Sequence, residues 1–294
     1  MWEYANLFDV QADALDEPRI WRTEPTELRV GRMGYRTKTT KAGPRLEADI
    51  YPIWGKEEQR KARAAKKNQT PEAVRRNNEE RAKRYLVQLA DTNFGANDLH
   101  VTLTYAGTPP EYEQARRDMR NFCDRVRRLR KKRGLDPLKY IYSIEDDEDG
   151  RKHRIHIHML TNGGISREEL EALWAKGYAN ADRLQPNENG LEAVARYLTK
   201  QQRNRRRWVS SKNLKKPKVR ISNTKTSNAK VRRIARDFEN EAKEVMEKLY
   251  PGYQFVSAKV FYSDIVSGVY IRTVMRKKPE RGKKKCDTFH AGSR

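Results

Sequence analysis

Two histidines, His156 and His158, stand two residues apart in the segment Arg154–Leu160, which reads as a β-strand. A strand turns residues i and i+2 to one face, so both imidazoles share a side, while Ile155, Ile157 and Met159 point the other way into a predicted helical layer. The preceding strand, Lys139–Glu145, connects to it through the acidic, glycine-containing stretch Asp146–Lys152, and the two form a predicted hairpin. With Asp149-Gly150 at its centre, Ser143 faces His156 and Glu145 is the diagonal neighbour on the same face. A slip of two residues sets Glu145 directly opposite His156, and only a slip of one moves it to the wrong face. Two neutral imidazoles and a carboxylate, with positions left for water and a phosphate oxygen, suit Mg²⁺ or Mn²⁺ acting as a Lewis acid, with zinc the main alternative. The expected metal ligands are therefore His156, His158 and Glu145. His153 has the opposite parity and is left out, His100 opens another strand and is unassigned, and Asp146–Asp149 reads as solvated charge at a hairpin tip.

The elements that must hold this pair can be read around it. Leu99–Tyr105 reads as a strand and Pro110–Lys132 as a basic helix, and Ser166 opens a further helix, with Glu169 at capping-box spacing. In the predicted helix Gly190–Gln202, Leu191, Val194, Ala195 and Leu198 make the buried stripe. Tyr197 lies at the edge of that stripe, able to point at the sheet, with Lys200 about one turn further on. The order β-α-β-β-α-(β)-α predicts an α+β fold of ferredoxin- or RRM-like type, an antiparallel sheet with helices packed on one face.

Outside this core, residues 1–45 show little periodicity and Leu46–Trp54 alternates like a strand. Lys56 to about Leu89 is a charged helical stretch broken at Asn68–Pro71, with apolar positions too sparse to bury it alone. After a basic linker at Arg203–Asn228, one helical period runs from Val231 to Leu249, followed by strands at Gln254–Ser263 and Val269–Arg276 and a polar tail from Lys277. The expected organisation is a basic N-terminal arm over 1–90, a core over 91–208, and a C-terminal linker, helix, strands and tail over 209–294.

Lys and Arg number 64 against 40 Asp and Glu in 294 residues, a net charge of +24. The excess falls in blocks, Lys56–Arg84, Arg116–Arg133, Arg203–Lys218 and Arg276–Lys285, the footprint of a protein that binds a polyanion. There is no apolar run of 18 or more residues and no signal-peptide pattern, so a membrane is not expected as partner and a cytoplasmic location is. The two cysteines, Cys123 and Cys286, fit neither a zinc spacing nor a disulfide framework, and no GxxxxGK[ST] loop occurs, so unwinding must come from a separate helicase.

Taken in order, His100-Val-Thr-Leu-Thr-Tyr105, His156-Ile-His158 and Tyr197-Leu-Thr-Lys200 resemble the three motifs of HUH endonucleases, specifically rolling-circle replication initiators with a single catalytic tyrosine. The resemblance covers about residues 99–208; Trp208, Ser210-Ser211 and Leu214-Lys-Lys-Pro217 further resemble initiators of small phages and mobile elements. It implies a five-stranded antiparallel sheet and a metal held by His156, His158 and Glu145. It also implies attack by Tyr197 on single-stranded origin DNA, leaving a 5′-phosphotyrosine and a free 3′-hydroxyl. Lys200 would then stabilise the tyrosinate or the developing phosphate charge, or simply face the DNA. Thr102, Thr104, Arg196, Arg203, Arg205, Arg206 and Arg207 are the expected DNA contacts, although β propensity also accounts for the two threonines. The chain departs from larger initiators in having no fused helicase and in carrying Ala193 where a second tyrosine would stand. A relaxase or transposase would share these motifs, whereas a non-catalytic RRM-like binder would need aromatics across the exposed sheet face.

Overall fold

The computed structural model describes residues 21–22, 34–67, 70–147, 154–199, 207–263 and 266–279. Eleven strands are assigned among them: β1 (Trp21–Arg22), β2 (Tyr35–Ala42), β3 (Arg45–Pro52), β4 (Leu99–Thr104), β5 (Tyr140–Asp147), β6 (Arg154–Thr161), β7 (Ala179–Arg183), β8 (Val209–Ser210), β9 (Lys218–Ser222), β10 (Tyr253–Ser263) and β11 (Val269–Lys277). The helices are α1 (Lys56–Lys67), α2 (Pro71–Asn93), α3 (Tyr112–Lys132), α4 (Arg167–Ala172), α5 (Glu192–Tyr197), α6 (Asn228–Arg236) and α7 (Asn240–Leu249). None of them is long and apolar enough to cross a membrane.

The expected α+β class holds, and the core sheet has five antiparallel strands in the order β7-β4-β6-β5-β8. One face is apolar. Val101, Leu103, Tyr142, Ile144, Ile155, Ile157 and Met159 pack against Ala115, Met119, Phe122, Cys123 and Val126 of α3, whose spacing draws a single stripe along that helix. Trp174, fully buried after α4, closes this layer and donates from its indole Nε1 to the Thr104 carbonyl at 2.7 Å. The Ser166 capping box forms as expected and starts α4, which ends at Ala172.

Helices cover both faces of this sheet, not one. On the histidine side Ile141 and Leu160 lie under Leu86, Leu89 and Ala90 of α2 and Leu191, Ala195 and Leu198 around α5. The expectation of an extended basic arm fails here, because the apolar residues of α2 are concentrated in its last third. Burying a leucine contributes about 1.5–3 kcal/mol, so Leu86 and Leu89 together hold down a helix that is polar over most of its length.

A second sheet, six-stranded in the order β1-β10-β11-β3-β2-β9, joins segments within residues 21–52 to segments within residues 218–277. Residues 35–52 form its centre by pairing β3 with β11 and β2 with β9, so they too are packed and not an arm. Leu46, Ala48, Ile50, Ile271 and Met275 form its apolar face under α6 and α7. The single period expected over Val231–Leu249 is two helices, broken where the Asp237 carboxylate accepts from the Glu239 and Asn240 amides at 3.0 and 2.8 Å. The basic linker is likewise ordered in part, supplying β8 and β9.

The other face of this sheet is ionic and meets α2. Arg84 bonds Glu47 at 2.6 Å and Asp49 at 2.7 Å, Gln88 donates to Glu47 at 2.7 Å, Arg45 to Glu47 at 2.6 Å, and Arg272 to Asp49 at 3.1 Å. Burial alone would raise the Glu47 carboxyl, yet Arg84 and Arg45 outweigh it and hold it at about 2. α2 thus sits between the sheets, with apolar contacts to one and ion pairs to the other.

Candidate active site

The hairpin register decides the acidic partner. Glu145 pairs directly with His156 and Ser143 with His158, the slipped alternative and not the one centred on Asp149-Gly150. On the other side of β6, Thr104 pairs with His156 and Thr102 with His158. His100, Thr102, Thr104, Ser143, Glu145, His156 and His158 therefore share one face. α2 and α5 cover its Ile141–Leu160 end and leave the Thr104–His156–Glu145 row beyond them.

His158 is the most constrained of the group. It is buried, its Nδ1 stands 3.3 Å from the Thr102 hydroxyl and its Nε2 3.6 Å from the Glu145 carboxylate. A hydroxyl on one ring nitrogen fixes the orientation of the other toward the carboxylate. His100 stacks on it at 5.6 Å with the ring planes 17° apart. Burial first, and His158 second, keep the His100 imidazole below its ordinary value and hence neutral, against a smaller opposing effect of Asp182.

Tyr197 ends α5, and its ring meets His158 edge-on at 4.8 Å with the planes 81° apart. It is nonetheless 43% exposed, so a ligand can reach it. Burial and then the nearby Glu145 charge raise its phenol above the ordinary value, so the hydroxyl is protonated near neutrality.

The start of α5 explains this placement. Asp91 of α2 accepts from the Leu191 amide at 2.9 Å, and Arg45 of β3 binds Glu192 at 3.0 Å and the Asn189 carbonyl at 3.2 Å. Gly190, at φ +71°, fits between Asp91 and Arg276, because a Cβ there would stand 2.4 Å from the Asp91 carboxylate and from the Arg276 guanidinium. α2 and β3 thus fix the start of the helix that carries Tyr197.

The face also holds polar atoms with nothing to bond. His100 Nε2, Ser143 Oγ and Glu145 Oε1 are buried and lack a hydrogen-bond partner, and such atoms call for an explanation, an absent ion among them. Two or three imidazole nitrogens and a carboxylate fit a divalent cation by donor type. Among the described residues, no three His, Cys, Asp or Glu side chains already converge as a finished cage, so binding would require side-chain adjustment.

The remaining expected residues are dispersed. Thr104 donates to the Tyr178 carbonyl at 3.2 Å. Arg196 is tied to Glu192 at 2.9 Å and Glu80 at 3.4 Å, and Arg207 to the Asn78 carbonyl at 3.1 Å, so both are anchored on or beside α2. The expected helix Gly190–Gln202 ends at Tyr197, and Lys200, Arg203, Arg205, Arg206 and His153 lie outside the described residues. The sequence reading left His100 unassigned and passed over Tyr178, which is 69% exposed beside Thr104. The parity of His100 with Thr102 was the available signal for the first; nothing marked the second before the pairing of β4 with β7 was known.

These features define a class of α+β protein, one with a histidine-bearing antiparallel sheet face served by a tyrosine at a helix end. Residues 98–202, about a third of the chain, match the family model of replication-associated proteins of the ORF2 type. The matched segment contains Glu145, His156, His158 and Tyr197. No curated protein and no solved structure matches the chain.

Proposed function

We propose that this protein initiates replication by nicking single-stranded origin DNA, with Tyr197 as the nucleophile. The observation that carries the reading is the exposed Tyr197 ring set against His158, beside a Glu145 oxygen with no partner. The similarity of residues 98–202 to replication-associated proteins supports the initiator role, and the net charge of +24 suits a nucleic-acid substrate.

In this reading the Tyr197 hydroxyl oxygen bonds to the scissile phosphorus as the bond to the 3′ oxygen breaks. The phenol gives up its proton, the released 3′ oxygen takes one up, and the products are a 5′-phosphotyrosine and a 3′-hydroxyl. Mg²⁺ or Mn²⁺ held by His156, His158 and Glu145 would supply positive charge to polarise the phosphate and offset the carboxylate beside the phenol. Thr102 orients His158 through its Nδ1, and the anchorage of α5 by α2 and β3 keeps Tyr197 at the histidines. With Ala193 one turn before Tyr197, the site supplies one nucleophile per chain, and unwinding falls to a separate helicase.

Incubation with end-labelled single-stranded DNA from its own locus and Mn²⁺ should give a protein–DNA adduct that survives a denaturing gel, abolished by EDTA. A wild-type protein that binds the DNA but never forms the adduct contradicts the proposal.

A further inference from the structure

Lys212, Lys215, Lys216, Lys218 and Arg220 are five cations within nine residues that contain no acid, and all five are exposed. They lead into β9, the edge strand of the six-stranded sheet. Register sorts their side chains. Val219 pairs with Thr40 and Ile221 with Lys38, while Thr40 and Lys38 in turn pair with Glu47 and Asp49. Val219 and Ile221 therefore face the α2 side, and Lys218 and Arg220 face the other.

Between α2 and this edge lies a groove of about 450 Å³, with Lys38, Arg81, Arg84 and Lys216 as its cations and Tyr85 and Val219 among its apolar walls. The acid in its lining, Asp49, is buried and already bonded by Arg84 and Arg272. Tyr85, Val219 and Ile221 are 41%, 51% and 53% exposed, so an apolar strip runs beside a positive one.

We infer that this groove binds a single strand of DNA at a site separate from the histidine face. A single strand offers a phosphate for Lys216 and unpaired bases for Tyr85 and Val219. A duplex keeps its bases stacked inside and would engage the cations alone. The groove also continues toward α5, the helix that ends at Tyr197, because Arg81 and Arg84 line a neighbouring cleft of about 360 Å³ that reaches Ala193 and Arg196. That continuity, and only that, rests on the nicking function proposed above: the bound strand would be the DNA flanking the nicked phosphate.

The test is fluorescence anisotropy of the full chain with labelled oligo-dT in EDTA, where binding is read without chemistry. Tyr85→Ala should weaken binding by about tenfold, the loss of one stacked base, and Tyr85→Phe should restore it. Lys216→Glu should weaken it and flatten the dependence of log K on log salt by at least about 0.7, one phosphate contact. A duplex of equal length should be insensitive to Tyr85→Ala. Unchanged affinity and slope in both variants, or an equal loss for duplex and single strand on Tyr85→Ala, would overturn the assignment. A wild-type protein that shows this pattern but never nicks keeps the groove and loses the nicking proposal; one that nicks but lacks the pattern does the reverse.

Discussion

α2 lies between the two antiparallel sheets, and the polar groups on the faces that flank it are finished in opposite ways. In the six-stranded sheet Glu47 and Asp49 are buried and matched by Arg45, Arg84, Gln88 and Arg272. In the five-stranded sheet His100 Nε2, Ser143 Oγ and Glu145 Oε1 are buried with no hydrogen bond at all. Burying a polar group without a partner costs about 1–3 kcal/mol, so the second arrangement is a standing cost with no structural return. On the function proposed above, the first face is architecture and the second is kept for a ligand.

Mutations should separate the two faces. The largest effect is expected at His156, where alanine should cut nicking by about a thousandfold, roughly 4 kcal/mol of transition-state stabilisation, with melting temperature nearly unchanged. Normal nicking by that variant would remove the histidine face from the chemistry. Arg84→Met should do the opposite: Glu47 and Asp49 lose their shared cation and keep Arg45, Gln88 and Arg272, which should cost up to about 3–5 kcal/mol in denaturant unfolding, and a stability equal to wild type would show that the ionic face is not structural.

The same contrast has a pH signature. Glu47, held at about 2 against an ordinary 4.5, contributes stability that is complete above 4.5 and lost as pH falls through about 2. Asp49 is depressed for the same reason, with Arg84 and Arg272 outweighing its burial, and acts in the same direction. Acid unfolding of wild type should therefore steepen below pH 4.5, and Arg84→Met should blunt it. The smallest effect is expected at Thr102→Val, which keeps the strand but frees His158 Nδ1: nicking should fall by about tenfold while DNA binding in EDTA stays level.

How much of this was legible in the sequence follows from the range of the interactions. The parity of His156, His158 and Glu145 is local to one hairpin, so their common face could be read from spacing, and the stripe Leu191, Ala195 and Leu198 around Tyr197 was legible for the same reason. The exact register was not, because the tip residues allow pairings two residues apart. The second sheet was missed as a unit because β3 and β11 pair across more than two hundred residues, and no local period reports such a partner. α2 was read as an arm because its burial is confined to its last third and its ion pairs lie with β3.

The central claim is that Tyr197 is the covalent nucleophile of the histidine face. The most direct measurement is protease digestion and mass spectrometry of the adduct formed with single-stranded DNA and Mn²⁺. The nucleotide mass should map to the peptide carrying Tyr197, and Tyr197→Phe should form no adduct while binding DNA as wild type does. An adduct on any other tyrosine, Tyr178 included, or an undiminished adduct in Tyr197→Phe, would contradict the claim.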